Sequence, residues 1–163
     1  MKDLTDYLNK AKNKAMSGGV KFDVNNYEEC LAAVTESGDL IELIKDPSEE
    51  LQLAAVRNLA HAIMKIKNPT LKVHLEVVNF RGRAIVCIDN PSEEVQLAAV
   101  VQDSLSLMHI KFPSKELQMI AVKKEGMSLQ YIKFPSEEVV IEAVKENKEA
   151  IQFVDVEKLS EET

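Results

Sequence analysis

The stretch PSEELQLAAV at residues 47–56 returns as PSEEVQLAAV at 91–100, and PSKELQMIAV (113–122) and PSEEVVIEAV (135–144) keep its plan. All five prolines of the chain, Pro47, Pro69, Pro91, Pro113 and Pro135, stand 22 residues apart in one unbroken series. A fixed period in this range marks stacked supersecondary units, each of which buries its apolar face only against its neighbours. Cutting at the period gives units 46–67, 68–89, 90–111, 112–133 and 134–155. A sixth unit without proline fits in register at 24–45, where ECLAAV ends at Val34, 22 residues before Val56.

Four columns of the repeat keep one character. They are Leu31/Leu53/Leu75/Leu97/Met119/Ile141, Val34/Val56/Val78/Val100/Val122/Val144, Ile41/Ile63/Ile85/Leu107/Leu129/Ile151 and Ile44/Ile66/Ile88/Ile110/Ile132/Val154. The first two are three residues apart, as are the last two, so each pair occupies one helical face. Between the pairs runs a breaker column, Gly38, Ala60, Gly82, Ser104, Gly126 and Lys148. Each unit therefore reads as a longer helix A, a tight turn, a shorter helix B, and then proline.

Proline is tolerated in a first helical turn and not in a helix interior. On this reading Asp46, Asn68 and Asn90 are the N-caps, with Glu49 and Glu93 at the capping-box position. Phe112 and Phe134 replace the cap in later units and are expected to pack on the neighbouring unit, with Ser114 and Ser136 taking over capping. Lys45, Lys67, Lys111 and Lys133 close helix B, where a cation suits the dipole. The run VHLEVVNFRGRAIVCI (73–88) has strand propensity, but its register with the helical units favours helix. Leucine-rich repeats share the period range and are excluded because their LxxLxLxxN strand signature is missing.

The expected fold is all-α, a right-handed-type α-solenoid of about six short helix-turn-helix repeats over residues 20–155. Residues 1–19 read as an N-terminal capping helix with Leu4, Tyr7, Leu8, Ala11 and Ala15 on one face, and 156–163 as a frayed tail. The phrase PSEEVQLAAV, a turn and a short L-x-x-I helix together resemble a bacterial and phage repeat family known only as a domain of unknown function. The resemblance covers about 46–155 and is weaker at 24–45. It implies a helical solenoid and a bacterial or bacteriophage source, and it supplies no catalytic residues. The unit at 68–89 departs most, with Thr70-Leu71-Lys72 in place of Ser-Glu-Glu.

Composition narrows the function classes. The chain has 163 residues, 45% hydrophobic, and a net charge of −7, which disfavours non-specific binding to nucleic acid or anionic membranes. No run approaches the ~18 apolar residues of a membrane-spanning helix. The N-terminal stretch lacks an apolar signal-peptide core, so cytoplasmic residence is the expectation. Cys30 and Cys87 make no disulfide framework, and no CxxC or paired histidine suggests a metal. No catalytic constellation, cofactor motif or glycine-rich phosphate loop is apparent, and the expectation is a non-enzyme without cofactor.

Charge is uneven along the chain. Residues 57–83 carry Arg57, Lys65, Lys67, Lys72, Arg81 and Arg83 against Glu76 alone, net +5, while the flanks are −5 and −7. All three arginines fall in this stretch. Arg57, His61, Arg81 and Arg83 lie at A–B turns, with His61 and Arg83 in one column and expected to stack about 10 Å apart. A guanidinium fork suits carboxylate or phosphate, so this edge is a candidate for an acidic group on a partner. The competing reading pairs these cations with acids of neighbouring units. A second candidate is the variable helix-B column Leu43, Lys65, Cys87, His109, Tyr131 and Phe153, since the shorter helix of a solenoid lines its binding face.

The candidate partner-binding set is therefore Arg57, His61, Lys65, Lys67, Lys72, His74, Arg81, Arg83, His109, Tyr131 and Phe153. The function expected from it is protein–protein interaction, with the family's company suggesting a phage-type protein that inhibits or sequesters a host defence protein. Nucleic-acid binding through 57–83 is the alternative, opposed by the acidic flanks. Exposed end units also allow self-association into homo-oligomers.

Overall fold

The computed structural model describes residues 22–154. The expected capping helix at 1–19 and the tail at 156–163 lie outside the described residues. The described chain is six pairs of a ten-residue α-helix and a six-residue 3-10 helix, without a strand. The pairs are α1 (Tyr27–Glu36) and η1 (Gly38–Leu43), α2 (Glu49–Asn58) and η2 (Ala60–Lys65), and α3 (Leu71–Phe80) and η3 (Gly82–Cys87). They continue as α4 (Glu93–Gln102) and η4 (Ser104–His109), α5 (Lys115–Lys124) and η5 (Gly126–Tyr131), and α6 (Glu137–Glu146) and η6 (Lys148–Phe153). The run at 73–88 is helical, as its register requires. The chain forms two compact units, Met1–Glu76 and Val77–Thr163, and the division falls inside α3. Within each unit, successive pairs pack on their sequence neighbours, as in an α-solenoid.

One extended residue separates the α-helix from the 3-10 helix of each pair, for example Ser37 at φ −144° and Asp103 at φ −143°. Six residues bounded by extended backbone give little room for an α-helix to nucleate, and the tighter 3-10 ladder closes within that length. Helix B is thus a two-turn 3-10 segment, ended by an extended residue such as Ile66 or Ile110 whose N–H bonds back three residues.

The helix starts correct the capping expectation for Asp46, Asn68 and Asn90 and bear out the cap position of Ser114 and Ser136. Ser48, Ser92 and Ser114 are the N-caps, their hydroxyls accepting from the N–H of Leu51, Val95 and Leu117 at 3.3–3.4 Å. Thr70 does the same for Val73. Ser136 holds the cap position but makes no such bond. Proline stands one residue before the cap, and Asp46 and Asn90 before it take φ of 50° and 49°. Asp and Asn tolerate the left-handed region, which Asn68 before Pro69 does not adopt. Glu49 and Glu93 are then first helical residues, not capping-box partners. The proline carbonyl is used as well, since Gln52, Gln96 and Gln118 donate to Pro47, Pro91 and Pro113 at 2.9–3.0 Å.

The core also runs along a different line of helix A than expected. The columns through Leu51 (Val73, Val95, Leu117, Val139) and Ala55 (Ala33, Val77, Ala99, Ala121, Ala143) are buried throughout. In the expected Leu53 column only Leu53 is buried, and the others lie at the rim, with Leu97 and Ile141 reaching 36% and 44% exposure. Alanine lets neighbouring backbones approach most closely, so the deepest line follows it. The Val56, Ile63 and Ile66 columns are core as expected, apart from the terminal Ile151, Val144 and Val154.

Close approach also explains the glycines of the breaker column. A Cβ on Gly38, Gly82 or Gly126 would lie 2.3–2.5 Å from the carbonyl oxygen of Ala55, Ala99 or Ala143 in the following repeat. The helix-A terminus reinforces each junction. Gly38 N–H donates to Asn58 Oδ1 at 2.8 Å, Gly82 N–H to Gln102 Oε1 at 2.7 Å, and Gly126 N–H to Glu146 Oε2. Lys124 makes the tie in another way, donating to the carbonyls of Val101 and Gln102.

Candidate interaction site at the turn 80–83

The last residue of helix A is a tie in four repeats, Asn58, Gln102, Lys124 and Glu146, and the corresponding residue of α3 is Phe80. A phenyl ring can neither donate nor accept such a bond, and Phe80 is 70% exposed. The next column, the extended residue before each 3-10 helix, holds Asp103 and Asn147 in two repeats. Their side chains cap the following helix by accepting from Leu105 N–H at 3.0 Å and Glu149 N–H at 2.9 Å. In α3's repeat that residue is Arg81, which has no acceptor to offer. Two positions used elsewhere for stability are thus given up in one turn.

The backbone that carries them is held firmly. Gly82 is buried, its N–H tied to Gln102. Arg83 Nε donates to Asp103 Oδ2 at 2.9 Å, and the other oxygen of that carboxylate caps η4. Arg83 is therefore a fixing residue, and Arg81 is exposed with no carboxylate partner among the described residues. The turn presents an open aromatic ring next to an uncommitted guanidinium on a fixed support. Such a pair suits an acidic group flanked by apolar surface. Beside it, an open depression of about 330 Å³ is lined by Gln102, Asp103, Ser104, Lys124 and Glu125. Its polar groups bond one another or backbone, as Ser104 does to Glu125 at 2.8 Å.

The remaining cations of 57–83 are mostly paired. In the first unit Arg57 bonds Glu76 at 2.6 Å, Lys72 bonds Glu49 at 3.1 Å, and Lys65 reaches Asp39 at 2.9 Å and Glu42 at 3.4 Å. These contacts leave marks on the titrating groups. The Thr70 hydroxyl, with Lys72, lowers the Glu49 carboxyl below its ordinary range. Glu76 raises Arg57 and Asp39 raises Lys65. The pairing with neighbouring repeats therefore holds for Arg57, Lys65, Lys72 and Arg83, while Lys67 and His61 are exposed without a carboxylate partner among the described residues. His61 belongs to the first unit and Arg83 to the second.

His74 is half-buried in the column of the proline-bonding glutamines, and burial lowers its pKa. In the variable helix-B column, Tyr131, Phe153 and Cys87 are half-buried and His109 is exposed. Burial raises the Cys87 thiol, and it raises buried Cys30 first, ahead of the charge of Asp23. Among the described residues no His, Cys, Asp and Glu cluster is arranged to hold a metal, and no helix is long and apolar enough to cross a membrane.

Phe80 and the exposure of Phe112 and Phe134 were missed from sequence. Phe112 is 82% and Phe134 68% exposed, so neither packs on its neighbouring repeat as expected. Phe80 had a readable signal: it is the one aromatic residue in a column otherwise polar.

No curated protein and no solved structure matches this chain. One family matches: residues 114–159, the last two repeats, are similar to the domain of unknown function DUF4116.

Proposed function

We propose that this chain is a non-enzymatic protein-interaction module whose primary contact is the turn 80–83. The observation that carries the reading is the double exchange of Phe80 for a tie and Arg81 for a cap on a turn otherwise fixed by Gly82, Arg83 and Asp103. An exposed ring and a free cation add nothing to folding there, and aromatic and arginine side chains dominate interface hot spots. The partner would present an acidic group beside an apolar one. Its approach would be steered by the charge pattern, a basic stretch between acidic flanks.

The wording shared by 47–56 and 91–100 with the later repeats extends the family likeness upstream of residue 114. A narrower reading, drawn only from the resemblance of the repeat wording to a bacterial and phage family, is a phage-type cytoplasmic protein that sequesters or inhibits a host defence protein. The test is affinity capture from a bacterial lysate with wild type, a Phe80→Ser/Arg81→Glu variant, and a Lys67→Glu control. A partner kept by wild type and control and lost by the double variant supports the proposal. Equal capture by all three would sink it.

A further inference from the structure

The Lys-Phe-Pro loops before α5 and α6 carry hydrophobic exposure that the fold leaves unused. Phe112 and Phe134 share their repeat position with Asp46, Asn68 and Asn90, polar residues suited to a wet loop. Asp46 and Asn90 have left-handed backbone, and neither Asn68 nor the two phenylalanines does. A ring left 82% or 68% in water contributes little to folding.

Each ring also has a cation beside it. Lys111 Nζ lies 5.4 Å from the Phe112 centroid, and Lys133 Nζ 5.2 Å from that of Phe134, within cation–π range. Among the described residues Lys65, Lys72, Lys115 and Lys145 find carboxylates, Lys115 bonding Glu138 at 2.5 Å. Lys111 and Lys133 have none among the described residues. Two successive repeats thus offer the same surface, an exposed ring and an uncommitted ammonium.

We infer that these two loops bind an extended, acidic segment of a partner protein, with an apolar side chain against each ring and carboxylates against Lys111 and Lys133. Contact-range charge sets the class of ligand: the flank is net −7, but the cations beside the two rings, Lys111 and Lys133, select acids at that position. Repetition sets its form. Neighbouring repeats stand about 10 Å apart, one helix-packing distance. A polyproline II segment returns to the same face every three residues, about 9 Å, so side chains i and i+3 meet successive rings. The inference rests on the reading of the chain as an interaction module, but it uses none of the residues of the turn 80–83.

The test uses the purified full chain and fluorescein-labelled (Glu-Leu-Asp)4, with (Lys-Leu-Lys)4 and phosphatidylserine/phosphatidylcholine vesicles as competing probes. Fluorescence anisotropy should show saturable binding of the acidic peptide. Phe112→Ser/Phe134→Ser and Lys111→Glu/Lys133→Glu should each weaken it at least about tenfold, while Lys123→Glu, at an exposed lysine with no ring beside it, leaves it unchanged. Amide shifts on peptide addition should cluster at 111–113 and 133–135. A variant that melts early is replaced by Phe112→Asn/Phe134→Asn, the residue type found at 68 and 90. No saturable binding of the acidic peptide, equal binding by the variants, or preference for the basic peptide or the vesicles overturns the inference. Peptide binding that survives loss of partner capture at 80–83, or the reverse, separates the failure of one surface from that of the other.

Discussion

The turns at 80–83 and 102–105 occupy equivalent places in adjacent repeats and spend their side chains in opposite ways. At 102–105, Gln102 ties back to Gly82, Asp103 caps η4 and holds Arg83, and Ser104 bonds Glu125. Every polar side chain there makes a hydrogen bond that serves the fold. At 80–83, Phe80 and Arg81 leave the tie and the cap unmade and point chemistry outward. The fully engaged turn fixes its neighbour, so the neighbour can present residues that folding does not need. A repeat array permits this division, because each junction is stabilised nearly independently of the others.

The largest expected effect comes from breaking the shared support. Gly82→Ala places a Cβ 2.5 Å from the Ala99 carbonyl and 2.7 Å from Ser106 Oγ, so backbone must shift. Overpacking of this kind should cost about 1–3 kcal/mol, read as a lowered denaturation midpoint at unchanged m-value. Next, Gln102→Ala strands the Gly82 N–H. It should cost about 1–2 kcal/mol, while Phe80→Ala, which removes no tie, should be close to neutral by the same measurement.

Arg81→Asp sharpens the comparison by making the two turns alike. It restores a capping carboxylate before η3 and should stabilise the chain by about 0.5–1 kcal/mol while weakening partner capture. Stabilisation with capture intact would show that Arg81 is not a contact residue.

The smallest effect is a pH dependence in the first unit. Burial holds the His74 pKa below its ordinary 6.5, so the unfolded chain takes up the proton more readily than the folded one. The stability at stake is fully present above 6.5 and declines as pH falls through that value toward the folded pKa. His74→Gln, which copies the Gln52 column, should flatten thermal stability against pH in this window. An unchanged slope would show that His74 is not its source.

Much of the fold was legible in the prolines and the Val56, Ile63 and Ile66 columns, because a 22-residue register puts a similar residue at the same depth five times over, up to the terminal repeat. The starts of α2, α3 and α4 were misread by two residues, while those at Ser114 and Ser136 were read correctly. A cap depends on which hydroxyl reaches an N–H, and Ser48 competes with Asp46 on equal terms until the left-handed backbone at Asp46 is in place. Charge and the loss of the Ser-Glu-Glu phrase singled out the repeat that carries the turn 80–83. Its composition was not: Arg57, Lys65, Lys72 and Arg83 looked as available as Arg81 until their carboxylate partners were in place.

The sequence by itself determined the repeat, its helical character and the position where the pattern breaks, since these follow from local periodicity and backbone preference. Only the tertiary structure decided which side chains are already used. Arg83 meets Asp103, 20 residues away, and Gly82 meets Gln102 at the same separation. Pairing between adjacent repeats depends on distance and direction in three dimensions, and these separate a bonded arginine from a free one two residues before it.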